Sequence, residues 1–319
     1  MQYPDIYFEP FWGELHARLE KGAFGFFTYE SPLGAGVYPF VKREAPVLVD
    51  GLPYYDTVTP YGFSGPLILW SPDRLAFACE FDARFQTYCQ ENRIIAEYVR
   101  FSPWLKNHLA FQSCYELKPN RVTLSVDLTG DFFTQEFSSK CRNQVRKAQK
   151  SGVCVEFDFR GERLADFIRL YGMMVEKNDI SGYYDFPEVF FKAVFAQCAP
   201  HAFLAHALYE GQVISSAIFL SYGPYLHYHL AGNAPGYGSL CANHLLLFEV
   251  AKWGKAQGKT TLHLGGAFEK GLLAFKQSFT KSEGLPFFVG TRIRNPAVYQ
   301  AICSMTDARS ETYFPAYRG

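Results

Sequence analysis

The sequence predicts an α/β (α+β) fold arranged as two tandem domains, each a mixed, twisted sheet flanked by helices. Three observations carry this expectation. Residues 225–288 read as an alternating strand, a Gly-rich connection, a long amphipathic helix, a strand ending in Gly265-Gly266, a short helix and a further strand. That order sets a cleft at the carboxyl ends of adjacent strands, where open α/β sheets bind ligands. A length of 319 residues suffices for two domains of ordinary size. Near Asp131 the texture changes from short strands with frequent turn signals to longer helices, which sets the expected boundary between residues 1–130 and 131–319.

The elements follow in order. FGFFTYES, VYPFVKRE and the stretch from Pro46 to Trp70 read as strands. Asp73–Asn92 reads as a helix, because Leu75, Phe77, Ala78, Phe81, Phe85 and Tyr88 recur at three- and four-residue steps. Ser71, with Pro72 behind it, is the expected cap. IIAEYVRFSP and RVTLSVDLTG are strands. A basic helix spans about 134–151 and stops at Gly152. VCVEFDF is a strand, ERLADFIRLYGMMVEKN an amphipathic helix, and FPEVFFKAVFAQC a helix with Pro187 in its first turn. Residues 202–223 form a hairpin turning at Glu210-Gly211. The final RIRNPAVYQAICSMTDARSETYF reads as a helix and a tail.

Composition excludes several classes. Apolar residues make 48% of the chain and charged residues 19%, with 31 Phe and 21 Tyr, which describes a globular protein with a large, aromatic-rich core. The net charge of zero argues against a dedicated nucleic-acid binder. The eight cysteines form no C-x-x-C pair and no zinc-like spacing with histidine. MQYPDIYFEPFWGELH carries acidic residues where a signal peptide has its basic region. Reduced thiols in a cytoplasmic protein are therefore expected. No apolar run approaches the roughly 20 residues of a membrane span. Neither a metal nor a tightly bound cofactor is expected.

Several residues could carry chemistry. Lys276 falls among Leu272, Leu273, Phe275 and Phe279 on a short helix. Either its stem packs while the ammonium reaches water, or the cation is aimed at a ligand carbonyl or phosphate. On the basic helix Arg142, Arg146 and Lys150 form a four-residue ladder widened by Lys140 and Lys147. Such a face is either simply solvated or a phosphate-reading surface, for which the planar arginine fork is suited. Tyr183, Tyr184 and Asp185 sit in a turn before a helix, as a hydrophobic lid or a ligand contact. In YLHYHL, period-2 alternation puts Tyr225, His227 and His229 on one face and Tyr228 on the other, with His263 on the expected neighbouring strand. No acidic partner supports a metal reading of these histidines; structural hydrogen bonding or a general base remain. Gly265 and Gly266 remove side chains at a cleft mouth, and TPYGFSGP has a similar character, with Tyr61 ahead of Gly62 and Gly65 and an aromatic between the two glycines.

The run AGN-x₈-ANHLLLFEVAKWGKAQGK-x₃-HLGG, followed by LLAFKQSF, resembles the second half of the FemABX peptidoglycan-bridge aminoacyltransferases. TPYGFSGPL (59–67), YVRFSPWL (98–105) and CRNQVRKAQKSGV (141–153) are similar to further stations of the same family, so the resemblance touches much of residues 56 to 290. It implies two tandem GNAT-like domains, with the chain's end able to return to the first. It also implies aminoacyl transfer from aminoacyl-tRNA to a UDP-linked or lipid-linked muropeptide, or another amine acceptor. Lys276 would then meet a developing oxyanion or a phosphate, and Tyr228, Tyr183 and Tyr184 would orient the acceptor. Arg142 and Arg146 would hold phosphates, Tyr61 would face the substrate groove, and Asp185 and His229 are candidate bases. Two departures stand out. The turn Asn178–Glu188 has no arginine for a muropeptide phosphate. The loop from Gly232 to Gly238 has Asn233 where coenzyme A-dependent GNAT enzymes carry Gln or Arg, which favours a donor other than acetyl-CoA. An acyl-CoA-dependent N-acyltransferase acting on a small amine or amino sugar, and a non-catalytic binding relative, are the alternatives.

Overall fold

The structure, a computed structural model, describes residues 3–178, 185–267, 269–306 and 313–319. Its contacts divide the chain into two units, one of residues up to 121 together with 286–319, the other of residues 122–285. The boundary expected at 130/131 thus moves into a strand, and the residues from 286 onward belong with the first unit. The change of composition marks where helices begin, not where contacts separate.

The first unit starts with α1 (Pro10–Ala17), followed by β1 (Ala23–Ser31), β2 (Gly34–Glu44), β3 (Tyr55–Val58) and β4 (Leu67–Trp70). Then come α2 (Arg74–Glu91) and β5 (Ile94–Arg100). β2 pairs antiparallel with β1, β3 and β4, and β3 runs parallel to β5. Asp73, not Ser71, caps α2: its carboxylate accepts the Leu75 and Ala76 N–H groups at 3.1 and 3.0 Å. Ser71 instead donates to the Leu33 carbonyl. The repeat read in the sequence buries Phe77, Phe81 and Phe85 on Tyr38 and Phe40 of β2.

The second unit holds the second half of β6 (Glu116–Asp127), then α3 (Phe132–Gln135), α4 (Ser139–Lys150), β7 (Cys154–Asp158), α5 (Leu164–Asn178) and α6 (Glu188–Gln197). The hairpin of β8 (Ala202–Tyr209) and β9 (Gln212–Tyr222) follows, turning through Glu210 and Gly211 at φ 50° and 78°. Two left-handed residues suit the twist of a two-residue hairpin. β10 (Tyr225–Asn233), α7 (Ala242–Ala256), β11 (Thr261–Gly266) and α8 (Lys270–Gln277) complete it. Within this unit the strand order is β6-β11-β10-β9-β8-β7. Only β10 and β11 are parallel. One sheet face carries the main core, where Val145 and Ala148 of α4 and Leu246 and Val250 of α7 pack on Val126, Leu226 and Leu262. On α5, Leu170 packs against Leu208 and Val213. A Cβ on Gly232 would lie 2.4 Å from the α5 backbone, so only glycine allows β10 this close to the helix.

The chain then returns to the first unit. β12 (Leu285–Ile293) lies antiparallel to β5, and Asn295 caps α9 (Pro296–Met305).

Candidate functional site

The parallel pairing of β10 with β11 stops early. Tyr225, Leu226 and His227 pair with Thr261, Leu262 and His263, and no pair follows. Beyond that point each strand bulges towards its other neighbour. β10 shifts register between Tyr228 and Leu230 and continues on β9 to Asn233. β11 shifts between His263 and Gly265 and continues on β6 to Gly266. Bulges bend and twist a strand, so the two carboxyl ends part within the sheet. Tyr228 is the first residue past the last pair, and the Gly265-Gly266 dipeptide ends the other strand.

Lys276 points at that dipeptide. Its Nζ donates to the Gly266 carbonyl at 2.6 Å, and lies 3.6 Å from where a Cβ on Gly265 would stand. Gly265 holds φ +70°, a conformation that glycine adopts without strain. At 7% exposure Lys276 is the most buried residue of α8. No carboxylate pairs with it among the described residues. Desolvation lowers its pKa from 10.5 to about 8. Leu272, expected on the same buried arc, is 44% exposed. α8 therefore turns its lysine, not that leucine, inward.

Two aromatic residues of α8's end region hold a histidine that the sequence reading passed over. His244 of α7 stacks on Phe279 with ring centroids 5.4 Å apart and meets Phe275 edge-on at 5.0 Å. Burial, aided by the Lys140 ammonium, lowers its pKa to about 4, and its Nδ1 has no hydrogen-bond partner among the described residues. A lone histidine in an apolar helix carries no sequence signal of this kind.

The other candidates fall as follows. Tyr228 lays its ring on Phe219 at 5.4 Å, and burial raises its pKa. His227 and His263 stack at 5.0 Å, and Tyr225 joins them at 5.1 Å from His263. His229 occupies the bulge of β10, where the alternation read in the sequence is interrupted. Asp185 is exposed ahead of α6, while Tyr183 and Tyr184 lie outside the described residues. On α4, Arg142 is tied to its own turn, donating to the Phe137 and Thr134 carbonyls at 2.5 and 3.4 Å and to Ser139 Oγ at 3.2 Å. Arg146 lies over the Phe133 ring at 5.5 Å. Lys147 and Lys150 are exposed and make no ion pair among the described residues. In the first unit, Tyr61 stacks on His16 at 5.9 Å and accepts a hydrogen bond from Trp12 Nε1 at its carbonyl. Its neighbour Gly62, at φ +107°, leaves no room for a Cβ beside the Tyr7 ring.

A buried lysine beside a parted pair of parallel strands can do one thing well. Its ammonium keeps donor capacity beyond the Gly266 bond, in surroundings where charge interactions are strong, and can stabilise an oxygen that becomes negative.

Residues 135–277, from α3 through α8, match the acetyltransferase (GNAT) domain. FemX shares 15% identity over 93% of this chain and 94% of its own, with a TM-score of 0.70. The C-terminal domain of a putative lysylphosphatidylglycerol synthetase from Agrobacterium fabrum shares 13% identity over 91% and 89%, with a TM-score of 0.57. A tandem GNAT protein from the clavulanic acid biosynthesis pathway shares 11% identity over 93% and 98%, with a TM-score of 0.52. No curated protein matches the chain by sequence. Likeness at these identities is likeness of fold. Residues 135–277, somewhat under half of the chain, match the GNAT acetyltransferase domain, and the chain as a whole shares the fold of FemX and of a tandem GNAT protein.

Proposed function

We propose that the chain transfers an aminoacyl group from aminoacyl-tRNA to the amine of a peptidoglycan-precursor-like acceptor. The observation that carries this reading is Lys276, buried with no carboxylate partner among the described residues and hydrogen-bonded to the last residue of β11. The fold likeness to FemX and to a lysylphosphatidylglycerol synthetase domain supports an amino acid as the transferred group.

In this reaction the acceptor nitrogen attacks the ester carbonyl carbon of the donor. A C–N bond forms, and the ester C–O bond breaks as the tetrahedral intermediate collapses. The amine loses one proton and the leaving ribose oxygen gains one. Lys276, in its ammonium form, donates to the oxyanion of the intermediate. His229 and Asp185 are the groups proposed to take the amine proton. Tyr228, at the point where β10 and β11 part, orients the acceptor. Arg146, with Lys147 and Lys150, meets phosphates of the donor or acceptor, whereas Arg142 holds the turn that precedes α4.

The test is a transfer assay with aminoacyl-tRNA and a UDP-linked muropeptide, wild type beside Lys276→Ala. Product formed by the wild type and lost by about 10²-fold or more in the variant is expected. Equal turnover by a folded variant sinks the assignment. Because residues 135–277 match an acetyltransferase domain, acetyl-CoA with a small amine is the second donor pair to assay. Turnover with that pair alone would replace the aminoacyl reading.

A further inference from the structure

The second unit contains a cavity of about 510 Å³ that shares no residue with the Lys276 site. Its walls include Arg163, Asp166, Arg169 and Met173, from α5 and the turn before it, facing Pro235 and Tyr237. The volume is that of a pocket for a small organic ligand.

The polar wall is organised around one carboxylate. Asp166 accepts from Arg163 Nε at 3.1 Å and pairs with Arg169 Nη2 at 3.5 Å. Arg169 Nη2 also donates to the Val213 carbonyl at 3.3 Å, and Arg163 Nη1 pairs with Glu156, which does not line the cavity, at 3.2 Å. Both guanidiniums are therefore held in place, yet neither is saturated. Arg163 Nη2 and the Nε and Nη1 groups of Arg169 have no partner among the described residues. Among the described residues Asp166 is the one carboxylate in the lining, and Glu156 balances Arg163 from outside the cavity, so the free donors of both forks are what this wall offers a ligand. The opposite wall carries the Tyr237 ring, whose hydroxyl donates to Gln212 Oε1 at 3.4 Å, and the Pro235 ring, while the Met173 thioether adds an apolar group on the α5 side. Anchored guanidinium forks recognise planar oxyanions, and an aromatic face with a thioether accepts a flat or apolar body.

We infer that this cavity is a binding site for a small molecule joining a phosphate or carboxylate to a planar or apolar body, with Arg169 and Arg163 holding the anion. The ligand's anion meets the unpaired guanidinium donors, and Asp166 keeps the two forks apart and oriented.

Calorimetric titration of the full chain tests this with two probes, uridine 5′-monophosphate and N-acetylphenylalanine. Saturable binding of at least one probe is expected, and which one binds identifies the anion. Arg169→Gln and Arg163→Gln should each weaken it about ten-fold or more, while Lys276→Ala leaves it unchanged. Both arginines are partly exposed, and a circular dichroism melt of each variant checks that it remains folded. Neither probe binding below about 10 mM, or binding that survives both arginine substitutions or falls with Lys276→Ala, overturns the proposal.

Discussion

Lys276 works against the fold that holds it. Its pKa in the folded chain is lowered by burial from 10.5 to about 8. Between about pH 8 and 10.5 the unfolded chain therefore binds the proton that the folded chain has released, and stability rises with pH through that window. Below it the lysine is charged in both states and the burial penalty is fully present. Lys276→Met should then raise stability at pH 7 by about 1–3 kcal/mol, a gain that shrinks towards pH 10, as urea unfolding at the two pH values would show. The same substitution should abolish transfer. In the wild type, the transfer rate should fall as pH rises through about 8, because the ammonium is the form that meets an oxyanion; a rate that climbs through that range contradicts the role. Stability gained and transfer lost in one substitution would be the signature of a functional group.

α4 shows what a helical wheel can and cannot resolve. The wheel separates the basic face from Cys141, Val145 and Ala148, and the structure buries those three. It cannot separate Arg142 from Arg146, because their difference lies in the turn before the helix. Arg142→Ala, which frees the Phe137 and Thr134 carbonyls, should cost about 1 kcal/mol in thermal unfolding. Arg146→Ala, Lys147→Ala and Lys150→Ala should each stay within about 0.5 kcal/mol. If α4 meets phosphates, these three should instead reduce donor binding and flatten its salt dependence. The strands, the β8–β9 hairpin and α7 were legible because periodicity and turn residues are local signals. The bulges at His229 and Leu264 were not, since a bulge is set by which neighbour a strand follows. Nor was the inward turn of Lys276 over Leu272, since the partner that selects it, the Gly266 carbonyl, is placed by the bulge.

Across the whole molecule, the residues after 285 enter the first unit's interior. Arg294, 6% exposed, bonds to Glu97 and, at 2.6 Å, to Asp82. Asp56, fully buried, binds Arg43 at 2.8 Å, Arg318 at 2.6 Å and the Tyr317 hydroxyl at 3.0 Å. These partners are distant in sequence, so no local pattern announced them. A chain ending at residue 312 should lose roughly 3–5 kcal/mol in the first unit, because Asp56 would stay buried with one cation removed; differential scanning calorimetry reads this as a lowered first-unit transition. The parting of β10 and β11 has its own consequence. Past His227 and His263 the main-chain groups on the facing edges of β10 and β11 form no ladder with each other. A sheet normally shows such groups only at its rim, where they invite aggregation; here they stand inside, flanked by β9 and β6. An extended, amide-bearing substrate can complete the sheet there as an added strand. Recognition of that kind reads the backbone of the guest, so it tolerates change in the side chains of either party.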